Sequence, residues 1–165
     1  MARKFEKISL KQFKKDINQT KEDYDNYKLP ERSTKNSAGY DFMALENFIL
    51  KPNETKKIPL GIKAQMNSDE MLMMFVRSSQ GFKYNIRLCN QVGIIDCDYY
   101  NNIENEGHIW IRIQNEGEKD YIVNKGDKIC QGIFVKYLTV DDEKGEKKER
   151  KGGFGSTTKG EKNDR

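Results

Sequence analysis

Short apolar runs separated by turn residues fill the middle of the chain, from residue 39 to about residue 140. Apolar and polar residues alternate over 109–113, which is typical of a strand with one buried face, while 71–76 is continuously apolar. Many short strands with regular turns and almost no helix predict an all-β sandwich or jelly roll. The predicted strands cover residues 48–50, 57–62, 71–76, 86–88, 92–95, 109–113, 120–123 and 129–138.

The two ends of the chain differ from this middle part. Residues 1–28 mix lysines and acids around Ile8, Leu10, Phe13 and Ile17, a spacing that suits a short amphipathic helix. Residues 141–165 are rich in Lys, Glu, Gly and Arg, which predicts a flexible arm. The expected organisation is an N-terminal extension over 1–28, a β domain over 29–140 and a C-terminal arm over 141–165.

Composition narrows the class of protein. No stretch approaches the roughly 20 apolar residues that cross a bilayer, and the charged start lacks the apolar run of a secretory signal, so we expect a cytoplasmic protein without a membrane partner. The three cysteines form no CxxC pair, which favours buried, reduced thiols. The net charge is +4, but lysines and carboxylates are interleaved, which makes a nucleic-acid partner unlikely and also suits a polyanionic small substrate.

Five short segments carry candidate chemistry. An arginine followed by two serines at a strand end offers a planar cation and two hydroxyls to phosphate oxygens. A glycine-rich segment with hydroxyls offers backbone N–H groups to an anion, although it lacks the lysine of a Walker A loop. In chain order the segments are Ala38-Gly39-Tyr40-Asp41, Arg77-Ser78-Ser79, Gly93-Ile94-Ile95-Asp96-Cys97-Asp98-Tyr99, Gly126-Asp127-Lys128-Ile129-Cys130-Gln131 and Gly152-Gly153-Phe154-Gly155-Ser156-Thr157.

The third segment holds a candidate general base. Asp96 follows an apolar strand, where a carboxylate forms a turn or holds and polarises a water. Asp98 is the competing carboxylate. Since side chains alternate along a strand, Asp96 and Asp98 share a face if the strand continues, so periodicity does not choose between them.

Together and in this order, the five segments resemble the motifs of the trimeric dUTPase family over roughly residues 29–158. Residues 98–109 also resemble the dUTPases of Gram-positive bacteria and their phages. The resemblance implies a jelly-roll-like (β-clip) subunit with a short N-terminal helical extension and a flexible C-terminal arm. It further implies a homotrimer with shared active sites that hydrolyses dUTP to dUMP and pyrophosphate, limiting uracil in DNA and supplying dUMP.

The resemblance also implies a role for individual residues. Asp96 would activate the attacking water, and Asp41 would organise the phosphate-binding arginine. Mg²⁺ would be held by the substrate phosphates and water, without a direct protein ligand. The residues expected to bind uracil and deoxyribose are Asn90, Ile94, Ile95, Tyr99 and Phe154. Those expected to bind phosphates are Arg77, Ser78, Ser79, Gln131, Arg150, Gly155, Ser156 and Thr157.

Some residues depart from the family pattern. Arg150 stands four residues before Phe154, where many members have five, and Thr158 occupies a place that is often glycine. The segment Gln80-Gly81-Phe82-Lys83 also differs from the commonest form. His108, the only histidine, is expected to be structural because no metal or triad partner is apparent, and Trp110 and Lys136 are expected to be fold residues.

Three alternative functions stay open. A dCTP deaminase of the same fold would need a glutamate that protonates the base, and the third segment fits the hydrolase better. A binding protein, or a dUTPase with a regulatory protein partner, would account for the N-terminal extension. A nucleic-acid binder would show salt-sensitive binding to oligonucleotides.

Overall fold

The computed structural model describes residues 3–145 and residue 150. Within them the chain forms eleven strands, three short α-helices and one turn of 3₁₀ helix. The helices are α1 (Leu10–Asp16), α2 (Lys21–Asn26) and α3 (Ser78–Tyr84), and the 3₁₀ turn is Cys97–Tyr99. The strands are β1 (Lys4–Lys7), β2 (Tyr40–Met43), β3 (Phe48–Leu50), β4 (Thr55–Pro59), β5 (Ile62–Gln65), β6 (Glu70–Phe75), β7 (Ile86–Leu88), β8 (Gly93–Asp96), β9 (Trp110–Asn115), β10 (Tyr121–Val123) and β11 (Lys128–Lys136).

All strand pairs are antiparallel, and they form one large and three smaller sheets. The four-stranded sheet has the order β2-β11-β6-β8, and the three-stranded sheet has the order β4-β9-β7. β1 pairs with β5, and β10 pairs with β3. Along β6 the side chains alternate between buried and half-buried, so Leu72 and Met74 enter the core. The predicted all-β architecture is confirmed.

The N-terminal segment, which comprises the described residues 3–28, is packed into the same core as the sheets. β1 pairs with β5 from Lys4 opposite Gln65 to Lys7 opposite Ile62. Ile8 and Phe13 are completely buried and belong to the main hydrophobic cluster. Burying a large apolar side chain stabilises a fold by roughly 1.5–3 kcal/mol, so these two residues bind the segment firmly to the domain.

The local structure differs from the predicted elements in two places. The single strand expected over 57–62 is divided into β4 and β5, because Gly61 adopts a left-handed φ of 69° between them. The single helix expected before residue 28 is a strand followed by two helices. A left-handed Asn18 separates these helices, and Thr20 and Asp23 begin α2 with a capping box.

His108 has a partner that the sequence does not reveal, since Asp16 precedes it by 92 residues. The ring is completely buried, its Nδ1 lies 2.6 Å from Asp16 Oδ2, and its Nε2 accepts a hydrogen bond of 2.9 Å from the Gly61 N–H. Because Nε2 accepts, the ring is neutral and Nδ1 donates to Asp16. Burial lowers the pKa of His108, although Asp16 acts in the opposite direction.

This pKa predicts the acid sensitivity of the fold. As the pH falls through about 6.5, the unfolded chain takes up a proton at His108 before the folded chain does, so the free energy of unfolding decreases. Above that pH the contribution is fully present. We expect urea unfolding at pH 7.5 and pH 5.5 to show a larger loss of stability in the wild type than in His108→Gln.

Between pH 7.5 and pH 5.5, the effect of His108 protonation on stability is separated from the effects of the carboxylates. The pKa values of Asp41, Glu70 and Glu106 are lowered from ordinary values near 4, so their contributions are lost only at more acidic pH. An equal loss of stability in the wild type and in His108→Gln between pH 7.5 and pH 5.5 would contradict the assignment.

Candidate active site

A cleft of about 690 Å³ lies where the chain passes from the three-stranded sheet to the four-stranded sheet. β7 ends at Leu88, a turn follows, and β8 begins at Gly93 as the edge strand of the larger sheet. One wall of the cleft is β8, and the opposite wall includes Trp110 and Arg112 of β9. The predicted site residues that line the cleft are Asn90, Ile94, Ile95, Asp96, Tyr99 and Arg150.

Asn90 lies at the exposed tip of the turn between the two sheets. The turn is closed by hydrogen bonds from the Gln91 N–H to the Leu88 carbonyl and from the Val92 N–H to the Asn90 carbonyl. Gly93 allows β8 to pack closely on β6, because a Cβ at this position would lie 3.1 Å from the Cβ of Met74. The turn therefore holds an amide, which can both donate and accept hydrogen bonds, at the mouth of the cleft.

The structure distinguishes Asp96 from Asp98. β8 ends at Asp96, and the 3₁₀ turn begins directly afterwards, so the two side chains do not follow the alternation of one continuous strand. Asp96 lines the cleft, whereas Asp98 is absent from the described lining residues. About half of each side chain is exposed to solvent. Asp96 is thus the carboxylate that a ligand in the cleft can contact.

Tyr99 forms a rigid wall of the cleft. Only 7% of the residue is exposed. Its hydroxyl donates to the His108 carbonyl at 2.9 Å and accepts from the Asn105 amide at 2.8 Å. Burial raises the pKa of Tyr99, so the phenol stays protonated and keeps both bonds at neutral pH.

Trp110 lines the cleft, although the sequence predicted a residue of the fold only. Its ring packs against the His108 ring at a centroid distance of 4.9 Å, and the Lys57 ammonium lies 4.4 Å from the Trp110 ring centroid. The alternation within β9 was the available signal, because it places Trp110 and Arg112 on the face opposite the buried Ile111 and Ile113.

Arg150 lies at the cleft but contacts carboxylates. Its Nη2 is 2.5 Å from Asp96 Oδ2, and its Nε is 2.7 Å from Asp98 Oδ1. The guanidinium carbon also lies 5.9 Å from the centroid of the Tyr99 ring. Two neighbouring carboxylates suit the fork of a guanidinium, so Arg150 neutralises Asp96 here, where the sequence led us to expect a phosphate contact.

A second cluster forms around Asp41 and Arg77. Arg77 follows β6 and precedes α3, and its Nε lies 2.9 Å from Asp41 Oδ1. The buried Asp41 also accepts from the Ser33 hydroxyl at 2.5 Å and from the Lys128 ammonium at 2.9 Å. Burial acts to raise the pKa of Asp41, but these donors and Arg77 outweigh it and lower the pKa. Asp41 is thus an ionised anchor that orients the guanidinium.

Gln131 lies in this second cluster, in register with Asp41 on one side and Phe75 on the other. Its amide donates to the Val76 carbonyl at 3.2 Å. Gly39 makes room for it, because a Cβ on Gly39 would lie 2.3 Å from Gln131 Oε1. Glycine at position 39 therefore determines where the Gln131 side chain lies.

Gln80 is a positioning residue that sequence reasoning missed. It is buried, and its Oε1 accepts from the Arg77 N–H at 2.7 Å. Its amide donates to the Tyr121 hydroxyl and to the Ile129 carbonyl, both at 2.9 Å. Gln80 thereby ties the start of α3, with Ser78 and Ser79 in its first turn, to the core. The unusual segment after Ser79 was the only signal in the sequence.

The second cluster does not contribute to the described lining of the cleft. Among the described residues, the lining of the cleft includes none of Asp41, Arg77, Ser78, Ser79 and Gln131. Phe154, Gly155, Ser156 and Thr157 lie outside the described residues. In residues 3–145 and 150, no three His, Cys, Asp or Glu side chains converge as a metal site would require. No helix in the described part of the chain is long and apolar enough to cross a membrane.

The all-β fold and its site suit an enzyme that acts on a nucleotide. The cleft holds an exposed amide, a carboxylate and an aromatic wall, and a separate cluster holds an arginine and two serines. The family model for dUTPase matches residues 25–158. The chain is 48% identical to the deoxyuridine 5'-triphosphate nucleotidohydrolase of Lactococcus lactis, over 78% of this chain and 87% of that protein. The chain therefore belongs to the dUTPase family, and its enzyme class is dUTP diphosphatase.

Solved structures agree with this assignment. The dUTPase of Streptococcus mutans has a TM-score of 0.67 and 36% identity, and the match covers 83% of this chain and 98% of that one. The dUTPase of Staphylococcus aureus phage phi11, which coordinates a structural Mg(II) ion, shares the fold with a TM-score of 0.65. It is 20% identical, and the match covers 91% of this chain and all of that one. The family and the fold predicted from the five motifs are confirmed.

The packing of Gly39 predicts a selective loss of activity. In Gly39→Ala the new methyl group would displace the flexible end of the Gln131 side chain, because the two would be only 2.3 Å apart. We expect the melting temperature to change by no more than a few degrees, while turnover of dUTP falls about tenfold or more.

Gly81→Ala is the matched control for this substitution. A Cβ at Gly81 meets nothing within 4 Å, and alanine favours the helix over glycine by up to about 1 kcal/mol. Gly81→Ala should therefore keep full activity with equal or higher stability. Pyrophosphate release and thermal unfolding measure both effects, and unchanged activity in Gly39→Ala would show that Gln131 needs no fixed position.

Proposed function

We propose that the enzyme hydrolyses dUTP to dUMP and pyrophosphate with a water that Asp96 orients and deprotonates. The observation that carries this proposal is that Asp96 is the one carboxylate among the described residues lining the cleft that also holds Asn90 and Tyr99. In the reaction the water oxygen bonds to the α-phosphorus while Asp96 accepts its proton. The bond from the α-phosphorus to the bridging oxygen breaks, and pyrophosphate leaves with the electron pair.

The uracil ring is recognised by the turn between β7 and β8 and by the edge strand β8. The Asn90 amide donates to one uracil edge atom and accepts from another, whereas cytosine presents the opposite arrangement and leaves buried groups unpaired. β8 pairs only with β6 among the described strands, so its outer edge offers backbone groups near Ile94 and Ile95 to the base. Both contacts lie at the same wall of the cleft.

The sugar packs against Tyr99. Because its hydroxyl is already bonded to His108 and Asn105, the phenol is held in place and offers the sugar only its ring. A ring fixed in this way leaves no room for a 2′-hydroxyl, which favours deoxyribose over ribose. Phe154 is proposed to stack over the uracil from the C-terminal arm.

The triphosphate is bound by residues of another subunit. Arg77, Ser78, Ser79 and Gln131 do not line the cleft that holds Asp96 in the same subunit. A second copy of the chain that supplies these four residues would complete the site, and this supports a homotrimer with shared active sites. Asp41 keeps Arg77 in position for the phosphates.

Mg²⁺ would be held by the substrate phosphates and water, without a direct protein ligand, and would supply charge neutralisation there. Asp96 and Asp98 both form ion pairs with Arg150. Substrate phosphates compete with Asp96 for Arg150, which would release the carboxylate to act as the base. Gly155, Ser156 and Thr157 are proposed to close over the γ-phosphate. The regulatory protein partner stays a prediction.

The role of Asp96 is tested by substitution. Asp96→Asn preserves the shape of the side chain but removes its basicity, so we expect pyrophosphate release from dUTP to fall by roughly 10²–10⁴-fold. Asp98→Asn is the matched control, because Asp98 also contacts Arg150 but does not line the cleft. The Asp98→Asn variant should lose far less pyrophosphate release than Asp96→Asn.

The assay includes dUTP, dCTP, dTTP and UTP, with ammonia release from dCTP measured in parallel. Turnover of dUTP alone is expected. Ammonia release from dCTP would identify a deaminase, and full activity in Asp96→Asn would exclude this residue as the base.

The shared site is tested by mixing inactive subunits. Asp96→Asn and Arg77→Ala should each be nearly inactive alone, because each removes one half of every site. Mixed oligomers formed by co-expression contain some sites with both halves intact, and part of the activity should return. Continued inactivity in oligomers shown by native mass spectrometry to be mixed would place both halves of the site in one subunit.

A further inference from the structure

The N-terminal segment holds the loop that follows the 3₁₀ turn of the cleft, residues 100–108, at three separate points. The Ser9 backbone N–H and hydroxyl donate to the Glu106 carboxylate at 2.9 and 2.5 Å. Glu6 accepts from the Tyr100 hydroxyl, and Asp16 accepts from the buried His108 ring. The segment that the five family motifs leave without a role therefore fixes this loop.

The loop in turn fixes Tyr99 at both its backbone and its ring. The Asn102 amide donates to the Tyr99 carbonyl at 2.9 Å. Gly107 has a φ of 81°, and a Cβ there would lie 2.6 Å from the same carbonyl, so the loop closes tightly on itself. At the other end of the side chain, the Tyr99 hydroxyl donates to the His108 carbonyl.

His108 connects Asp16 to the wall of the cleft. The ring lies between two fixed partners, Asp16 on one side and the Gly61 N–H on the other, and the Asp16 carboxylate also accepts from the Gln12 amide at 2.8 Å. The backbone carbonyl of His108 accepts a hydrogen bond from the Tyr99 hydroxyl, and the His108 ring packs against Trp110. A displacement of His108 would therefore reach Tyr99 through the carbonyl and Trp110 through the ring, and both residues line the cleft.

We infer that Asp16 and His108 are positioning residues for Tyr99, and that the N-terminal segment thereby sets how strictly the enzyme excludes ribonucleotides. The inference rests on the proposed role of Tyr99 against the sugar. A wall that excludes one hydroxyl must be held within a fraction of an ångström, and such precision requires support from the residues behind it. Without Asp16, the buried Nδ1–H loses its acceptor, so His108 as a whole shifts toward another acceptor and its backbone carbonyl moves with it.

The test compares dUTP with UTP in Asp16→Ala. We expect the ratio of kcat/KM for dUTP to kcat/KM for UTP to fall about tenfold or more, mainly because UTP becomes a better substrate. The kcat for dUTP should stay within about twofold of the wild type, because the Asp96 carboxylate is not in contact with Asp16 or His108. Asp16→Asn should retain the wild-type ratio, since its amide oxygen can still accept from Nδ1.

Two further variants make the test decisive. Asp25→Ala removes an exposed carboxylate of the same segment, which forms an ion pair with Lys21, and should leave the ratio unchanged. Tyr99→Phe removes the hydroxyl that binds the His108 carbonyl and the Asn105 amide but keeps the ring, so it should lower the ratio even if Asp16→Ala folds poorly. Two outcomes would overturn the inference: an equal loss of kcat/KM for both substrates, or an unchanged ratio in Asp16→Ala and Tyr99→Phe. Either would show that Asp16 and His108 are structural residues only.

Tyr99→Ala distinguishes this inference from the proposed function. If the ratio stays high in Tyr99→Ala, the tyrosine does not exclude ribose, and both the proposed role and the inference fail. If the ratio collapses in Tyr99→Ala but not in Asp16→Ala, the proposed role stands and only the positioning is overturned.

Discussion

The antiparallel pairing of β6 with both β8 and β11 is the constraint on which the whole site depends. On one side of β6, Leu72 and Met73 lie opposite Ile95 and Ile94, which sets the wall of the cleft. On the other side, Phe75 lies opposite Gln131, and the strand leads directly into Arg77. Because a slip of one residue would turn every side chain to the opposite face, this register is set by the burial of Leu72 and Met74.

Buried polar groups hold the irregular segments that carry the chemistry. Asp41, Gln80 and His108 each bind two or more partners, and no buried side-chain nitrogen or oxygen among the described residues lacks one. An unpaired buried polar group costs roughly 1–3 kcal/mol, so each of these residues selects a single loop conformation. Arg77 and Tyr99 are therefore oriented by these neighbours.

Within one copy of the chain, the two clusters come from different elements: one from the turn after β7 and from β8, the other from the start of α3 and from β11. In the proposed function the first cluster binds uracil and deoxyribose, and the second binds the phosphates. Arg150 pairs with Asp96, the proposed base, which links residue 150 to the same cleft. The N-terminal segment supports the cleft from behind through Asp16 and His108.

The sequence by itself determined the all-β class, most of the strands, the family, and the choice of Asp96, Asn90, Tyr99 and Arg77 as candidates. It did so because strand periodicity and the order of the motifs can be read directly from the amino-acid sequence. It did not reveal helix α3, the break at Gly61, or the supporting roles of Gln80 and Asp16. Only the tertiary structure decided these, since Asp16 and His108 are 92 residues apart and their pairing is a consequence of burial, which no local pattern encodes.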